Sequence, residues 1–387
     1  MDYVKNTPGV LGWVVGHSPA VSRALGRRSW LSPWALLKTI DSLLRGIGQV
    51  CFADNPLSGL LILLGLFLGN PMAGLGAVVT SLTAIITALI FKQPDGAIGA
   101  GLTNFSAVLV GTVITSVYPI ICHQPLPAPV WGYMVAGAAF SVCLLSALAA
   151  ILAPTKLPPF TLPFNIATCI VFICLRSHGL VGVTPEATAQ KVAEEESIQW
   201  GQVFLGSFLS AGQAYAVESI ACSSLTLIGL FLYSPILTVF AFFGALTSSL
   251  TALAVSSAPY AAVYAGGWGY NGFLSGGSLA IFMVPSPRVF LLAIVNSVFT
   301  TFLHAALVPS FALNQLPVFT FPFCISSLLF LAMAGAGGMD SVRVYEPTFP
   351  ERDLLLSKQE IRETEKDGIA TRDPAALPLS ENQREAV

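Results

Sequence analysis

The sequence predicts an all-α polytopic membrane protein, and three observations predict it. Hydrophobic residues fill 54% of the 387 positions and charged residues only 10%, with a mean hydropathy of +0.75. That is too little charge to cover a soluble protein of this length. Apolar runs at Leu57–Leu68, Met72–Phe91, Val130–Leu152 and Pro235–Ala254 approach or exceed the roughly 17–25 residues that cross a bilayer as a helix. One segment also occurs twice, as Leu157-Pro158-Pro159-Phe160-Thr161-Leu162-Pro163-Phe164 and as Leu316-Pro317-Val318-Phe319-Thr320-Phe321-Pro322-Phe323, so the chain consists of two homologous halves.

In chain order, residues 1–34 form an N-terminal arm carrying Lys5, Arg23, Arg27 and Arg28. Pro8, Pro19 and these charges interrupt it too often for a cleavable signal. A first membrane repeat is expected over 35–176, a linker over 177–199, a second repeat over 200–338 and a tail over 339–387. The tail is basic at Arg343, Arg352, Lys358, Arg362, Lys366, Arg372 and Arg384, whereas the linker sets only Lys191 against Glu186, Glu194, Glu195 and Glu196. Basic residues retain loops in the cytosol, so both termini are expected inside and the linker outside. Each half then holds an odd number of spans, and the second copy is inverted relative to the first. Within each half an apolar run breaks, at Lys92-Gln93-Pro94-Asp95-Gly96 and at Ser256-Ser257-Ala258-Pro259-Tyr260, before a short glycine-containing stretch. These are candidate re-entrant half-helices, tolerated at membrane depth only against protein or a wet cavity.

Polar residues in apolar spans face inward, because each one facing lipid costs free energy. Gln49 and Gln213 each follow a glycine at corresponding places in the halves, and a carboxamide offers a small solute both a donor and an acceptor. The competing role is a bond to a neighbouring helix. Thr161 and Thr320 sit in the duplicated segment, where the next proline frees a backbone carbonyl; they mark a pore centre or patch a kink. Phe52, Phe105 and Tyr270 are candidates for flat walls, with packing as the alternative. Glu218, opposite Asp54 when the halves are aligned, is a candidate ion site or a helix-end residue.

A net charge of −2 leaves no electrostatic footprint for nucleic acid. The seven cysteines, Cys51, Cys122, Cys143, Cys169, Cys174, Cys222 and Cys324, lack zinc-site spacing and are expected to pack; neither metal nor cofactor is expected. No nucleophile elbow or phosphate loop points to an enzyme. Asn55-Pro56-Leu57 matches half of the paired Asn-Pro-Ala boxes of water channels, but Ser219-Ile220 occupies the corresponding place. The Asn104-Phe105-Ser106 sequon falls in an expected re-entrant segment, where modification is not expected, and Glu351-Arg352-Asp353-Leu354-Leu355-Leu356 has the form of a short sorting pattern.

Gly48-Gln49-Val50-Cys51-Phe52, Asp54-Asn55-Pro56-Leu57-Ser58-Gly59, Leu109-Val110-Gly111, the two LPxFTxPF segments and Trp268-Gly269-Tyr270-Asn271 together resemble the vertebrate urea transporter family over roughly residues 35–340. The resemblance implies ten transmembrane helices plus two re-entrant half-helices in an inverted five-plus-five repeat. It also implies a plasma-membrane homotrimer with a passive urea pore in each lipid-embedded subunit. Its polar sites fall on Gln49 with Val50 and Phe52, and on Gln213 with Ala214 and Tyr215. Its constriction falls on Thr161 and Thr320, and its walls on Phe105, Leu109, Tyr270 and Leu274. Two departures stand out: Glu218-Ser219-Ile220-Ala221-Cys222-Ser223 replaces the usual Asp-Asn-Pro-Trp-Thr-Gly, and Ser106 replaces an asparagine. The rival expectation is an ion-coupled secondary transporter of a small polar metabolite using Glu218.

Overall fold

The computed structural model describes residues 16–180, 197–335 and 343–366. Lys5, the linker charges Glu186, Lys191, Glu194, Glu195 and Glu196, and the tail residues Arg372 and Arg384 lie outside the described residues, as do the side chains of Arg362 and Lys366. Among the described residues the regular structure is helical, apart from one bridge between Met283 and Arg343.

After α1 (Pro19–Gly26), the first half runs α2 (Ala35–Gln49), α3 (Pro56–Gly69), α4 (Pro71–Ile90), α5 (Asp95–Gly99), α6 (Phe105–Cys122), α7 (Ala128–Leu152) and α8 (Leu162–Ser177). The second half has the same succession of seven helices: α9 (Trp200–Gln213), α10 (Ile220–Tyr233), α11 (Pro235–Val255), the single turn α12 (Ala261–Tyr264), α13 (Tyr270–Phe282), α14 (Pro287–Ala312) and α15 (Phe321–Gly335). A last helix, α16 (Pro350–Lys366), holds the Glu351–Leu356 pattern.

The helix starts are legible in the sequence. Asn55 accepts from the backbone N–H groups of Leu57 and Ser58, and Asn70 from those of Met72 and Ala73. Ser219 and Ser234 do the same work for Cys222 and Leu237, satisfying donors that a helix start otherwise leaves orphaned. Proline at the first position of α3, α4 and α11 starts each without losing a bond.

Helices α4, α6, α7, α11 and α14 are long and apolar enough to cross a membrane; α3, α8, α10 and α15 are apolar as well but shorter. Leu64, Ile86, Ile90, Phe231, Leu291 and Phe302 are exposed, which suits a lipid-facing surface. The chain is therefore an all-α, multi-pass membrane protein. The segments expected as half-helices form only one turn each, α5 and α12, each followed by a glycine in the left-handed region, Gly101 (φ 71°) and Gly266 (φ 80°). A β-carbon would be strained at both.

Packing repeats as well. Helix α4 packs on α6 and α7 as α11 packs on α13 and α14, and the halves meet where α3 packs on α10 and α8 on α15. Gly76 and Gly111 let α4 and α6 touch backbone to backbone: a β-carbon on Gly111 would lie 2.3 Å from the Gly76 carbonyl oxygen. In a bilayer, where lipid is as apolar as leucine, such close approach is a main source of helix association.

Candidate solute pore

Each LPxFTxPF segment enters its helix through a phenylalanine in the left-handed region, Phe160 (φ 47°) and Phe319 (φ 50°). The following threonines end up face to face. Thr161 Oγ1 and Thr320 Oγ1 are hydrogen-bonded at 2.6 Å, and both residues are 3% exposed. Around them, Asn165 Oδ1 accepts from Thr320 N–H at 3.0 Å and from Thr320 Oγ1 at 2.9 Å, while Cys324 Sγ lies 3.2 Å from Thr161 Oγ1.

A cavity of about 590 Å³ reaches Thr161. Its walls include Gln49, Val50, Phe52, Leu102, Phe105, Phe160, Phe282 and Phe323. Phe52 meets Phe160, Phe282 and Phe323 edge-on at centroid distances of 6.1–6.5 Å, and Phe160 meets Phe323 at 4.9 Å. These rings form a flat-sided apolar sleeve next to the threonine pair. Ala216, also in the left-handed region, stands at the place of Phe52 in the second half.

The two glutamines behave alike. Gln49 Nε2 donates to the Ala100 carbonyl at 3.1 Å and Gln213 Nε2 to the Ala265 carbonyl at 3.0 Å, each just before the left-handed glycine of its half. With nitrogen so engaged, the side chain presents its carbonyl oxygen. Gln49 lines the cavity; Gln213, Ala214, Tyr215, Leu109, Tyr270, Leu274 and Thr320 are not among its walls. Leu109 and Leu274 are fully buried, Ala214 is 3% exposed, and Tyr215 Oη donates to the Ile47 carbonyl of the other half at 2.7 Å. Tyr270 Oη donates to the Phe319 carbonyl at 2.5 Å, which braces the turn preceding Thr320.

Asp54 is the carboxylate among the described walls, and it is neutralised by Arg45, whose Nη1 lies 2.6 Å from Asp54 Oδ1. Arg45 is 1% exposed and also engages Asp41 at 2.9 Å and the His17 carbonyl at 3.1 Å. Sequence reasoning missed Arg45, although Asp41 precedes it by one helical turn. It also missed Asn165 and Cys324, which comparing the duplicated segments one residue further would have found. Glu218 is exposed, next to the Ser219 cap. Among the described residues no group of three or more His, Cys, Asp or Glu could hold a metal ion.

The model of one family, described as "Urea transporter", matches residues 40–335. The chain belongs to the urea transporter family. It is 30% identical over 372 residues to urea transporter 1 of Ovis aries, spanning 93% of each chain, and equally so to that of Capra hircus. Urea transporter 1 of Mus musculus is 30% identical over 336 residues, 84% of this chain and 83% of its own. Membership makes the chain a membrane transporter and not an enzyme. Two places where the halves differ in sequence have a structural reading. Ser219 caps α10 in place of an Asn-Pro start, so the helix begins where its counterpart does. Asn271 bridges a backbone break, donating to the Phe319 carbonyl and accepting from Phe323 N–H, whereas the buried hydroxyl of Ser106 at the matching place has no hydrogen-bond partner.

Proposed function

We propose that this chain is a passive, channel-like urea transporter, with a pore in each subunit of a plasma-membrane homotrimer. The chain crosses the membrane ten times, with two re-entrant segments, as an inverted five-plus-five repeat over 35–176 and 200–338, both termini being cytosolic. The 177–199 linker lies outside. The observation that carries the reading is the hydrogen bond between Thr161 and Thr320: hydroxyls from opposite halves meet at the end of an aromatic-walled cavity. Urea sheds water on entry and recovers hydrogen bonds at Gln49, then at the threonine oxygens, then at Gln213, between walls that include Val50, Phe52, Phe105, Leu109, Ala214, Tyr215, Tyr270 and Leu274. Weak, repeated sites of this kind allow passage without trapping. Ions gain nothing there to replace their hydration. An ion-coupled mechanism would need Glu218 in the path, and its exposed position beside a helix cap does not favour that.

The test is stopped-flow urea uptake by proteoliposomes, with and without proton and sodium gradients. Fast uptake independent of both gradients is expected, and Gln49→Leu lowers it roughly three- to tenfold, the value of one hydrogen bond. Uptake that requires either gradient overturns the passive mechanism.

A further inference from the structure

We propose that Thr161, Thr320, Asn165 and Cys324 form a closed hydrogen-bond ring that leaves both threonine oxygens as acceptors only, with Asn165 as the positioning residue. The inference rests on the urea-pore reading above and adds what decides which solutes that pore prefers.

The direction of each bond follows from the groups themselves. The Thr320 backbone N–H can only donate, and the atom it meets at 3.0 Å is Asn165 Oδ1, so that atom is the carbonyl oxygen. A carbonyl cannot donate. The Thr320 hydroxyl, 2.9 Å from the same oxygen, therefore spends its proton there. Thr320 then has no proton left for Thr161, and in their 2.6 Å contact Thr161 is the donor. With that proton engaged, the 3.2 Å contact to Cys324 runs from the thiol S–H to Thr161 Oγ1. Asn165 Nδ2 donates to Cys324 Sγ at 3.6 Å, which closes the ring. Asn165 and Cys324 are fully buried, so water does not compete for these bonds.

A hydroxyl oxygen has two lone pairs. The ring uses one on each threonine and both hydroxyl protons, so each oxygen keeps one acceptor site and no donor. Urea carries four N–H hydrogens and suits such a centre, whereas a solute that must be donated to does not. The duplicated threonines are matched in sequence but unequal in role. Thr320 is oriented directly by Asn165, and Thr161 only through Thr320. Removing the Thr320 hydroxyl frees the Thr161 proton to point along the solute path; removing the Thr161 hydroxyl leaves Thr320 oriented.

Urea and water permeabilities of proteoliposomes carrying wild type, T161V, T320V and N165L test this. T320V and N165L are expected to lower the urea-to-water ratio about threefold or more beyond T161V, because a purely structural defect lowers both permeabilities together. Equal ratios in T161V and T320V overturn the ring, as does a wild-type ratio in N165L. Should N165L not fold, the two isosteric valine variants decide. Absence of urea flux in wild type overturns the urea reading and the ring's role with it; wild-type flux with symmetric threonine variants overturns the ring alone.

Discussion

The side chain of Asn104 occupies the space that a β-carbon on Gly46 would need: such an atom would sit 2.0 Å from Asn104 Oδ1. At the corresponding places in the second half the arrangement is reversed. Ser210 stands for Gly46 and Gly269 for Asn104, and a β-carbon on Gly269 would sit 2.1 Å from Ser210 Oγ. Each half thus fills one shared space once, from opposite sides.

Asn104 cannot give way, because its Nδ2 donates to the Ser42 carbonyl at 3.1 Å and to Ser81 Oγ at 2.9 Å. Gly46→Ser is therefore expected to destabilise the protein by about 1–3 kcal/mol through overpacking. Adding Asn104→Gly copies the arrangement of the second half and recovers most of that loss. Thermal unfolding in detergent compares the single and double variants; a double variant no more stable than Gly46→Ser refutes the exchange.

Arg45 holds two carboxylates in a largely buried cluster, Asp41 at 2.9 Å and Asp54 at 2.6 Å. Arg45→Met leaves both without their counter-charge, and breaking a buried pair from one side costs about 3–5 kcal/mol. The triple variant with Asp41→Asn and Asp54→Asn removes the stranded charges and is expected to regain much of the loss. Melting temperature and detergent-extracted yield report it. Equal damage in the single and triple variants would mean that Arg45 matters for its shape and its bond to His17 rather than for charge.

His17 lies where the two terminal segments meet. Its ring stacks obliquely on Phe349 at 5.8 Å, and burial, then the positive charges of Arg352 and Arg45, push the imidazole down from 6.5 to about 4. The docked ring thus stays neutral where a free one would protonate. Docking is at full strength above pH 6.5 and weakens as pH falls through the window down to about 4. Hydrogen exchange around Gly16–Ser18 and Phe349, corrected for intrinsic rates, is expected to be faster at about pH 5 than at about pH 7.5. The same acceleration in His17→Gln would assign it to another group.

The sequence by itself determined the membrane class, because a chain with this little charge has no aqueous surface to offer, and it determined where α3, α4, α10 and α11 begin, because caps and prolines act locally. It also singled out Gln49, Gln213, Thr161 and Thr320, since duplication makes unusual residues recur. Only the tertiary structure decided which of these touch. The Thr161–Thr320 contact, the grip of Asn165 on Thr320 and the bond from Tyr215 to Ile47 join residues more than 150 positions apart, and no periodicity along one helix encodes a partner on another. The inequality of the two threonines arises the same way. Asn165 and Cys324 follow identical Pro-Phe steps, yet one is a carbonyl acceptor and the other a weak thiol donor, and that difference acquires a direction only when the two halves are folded against each other.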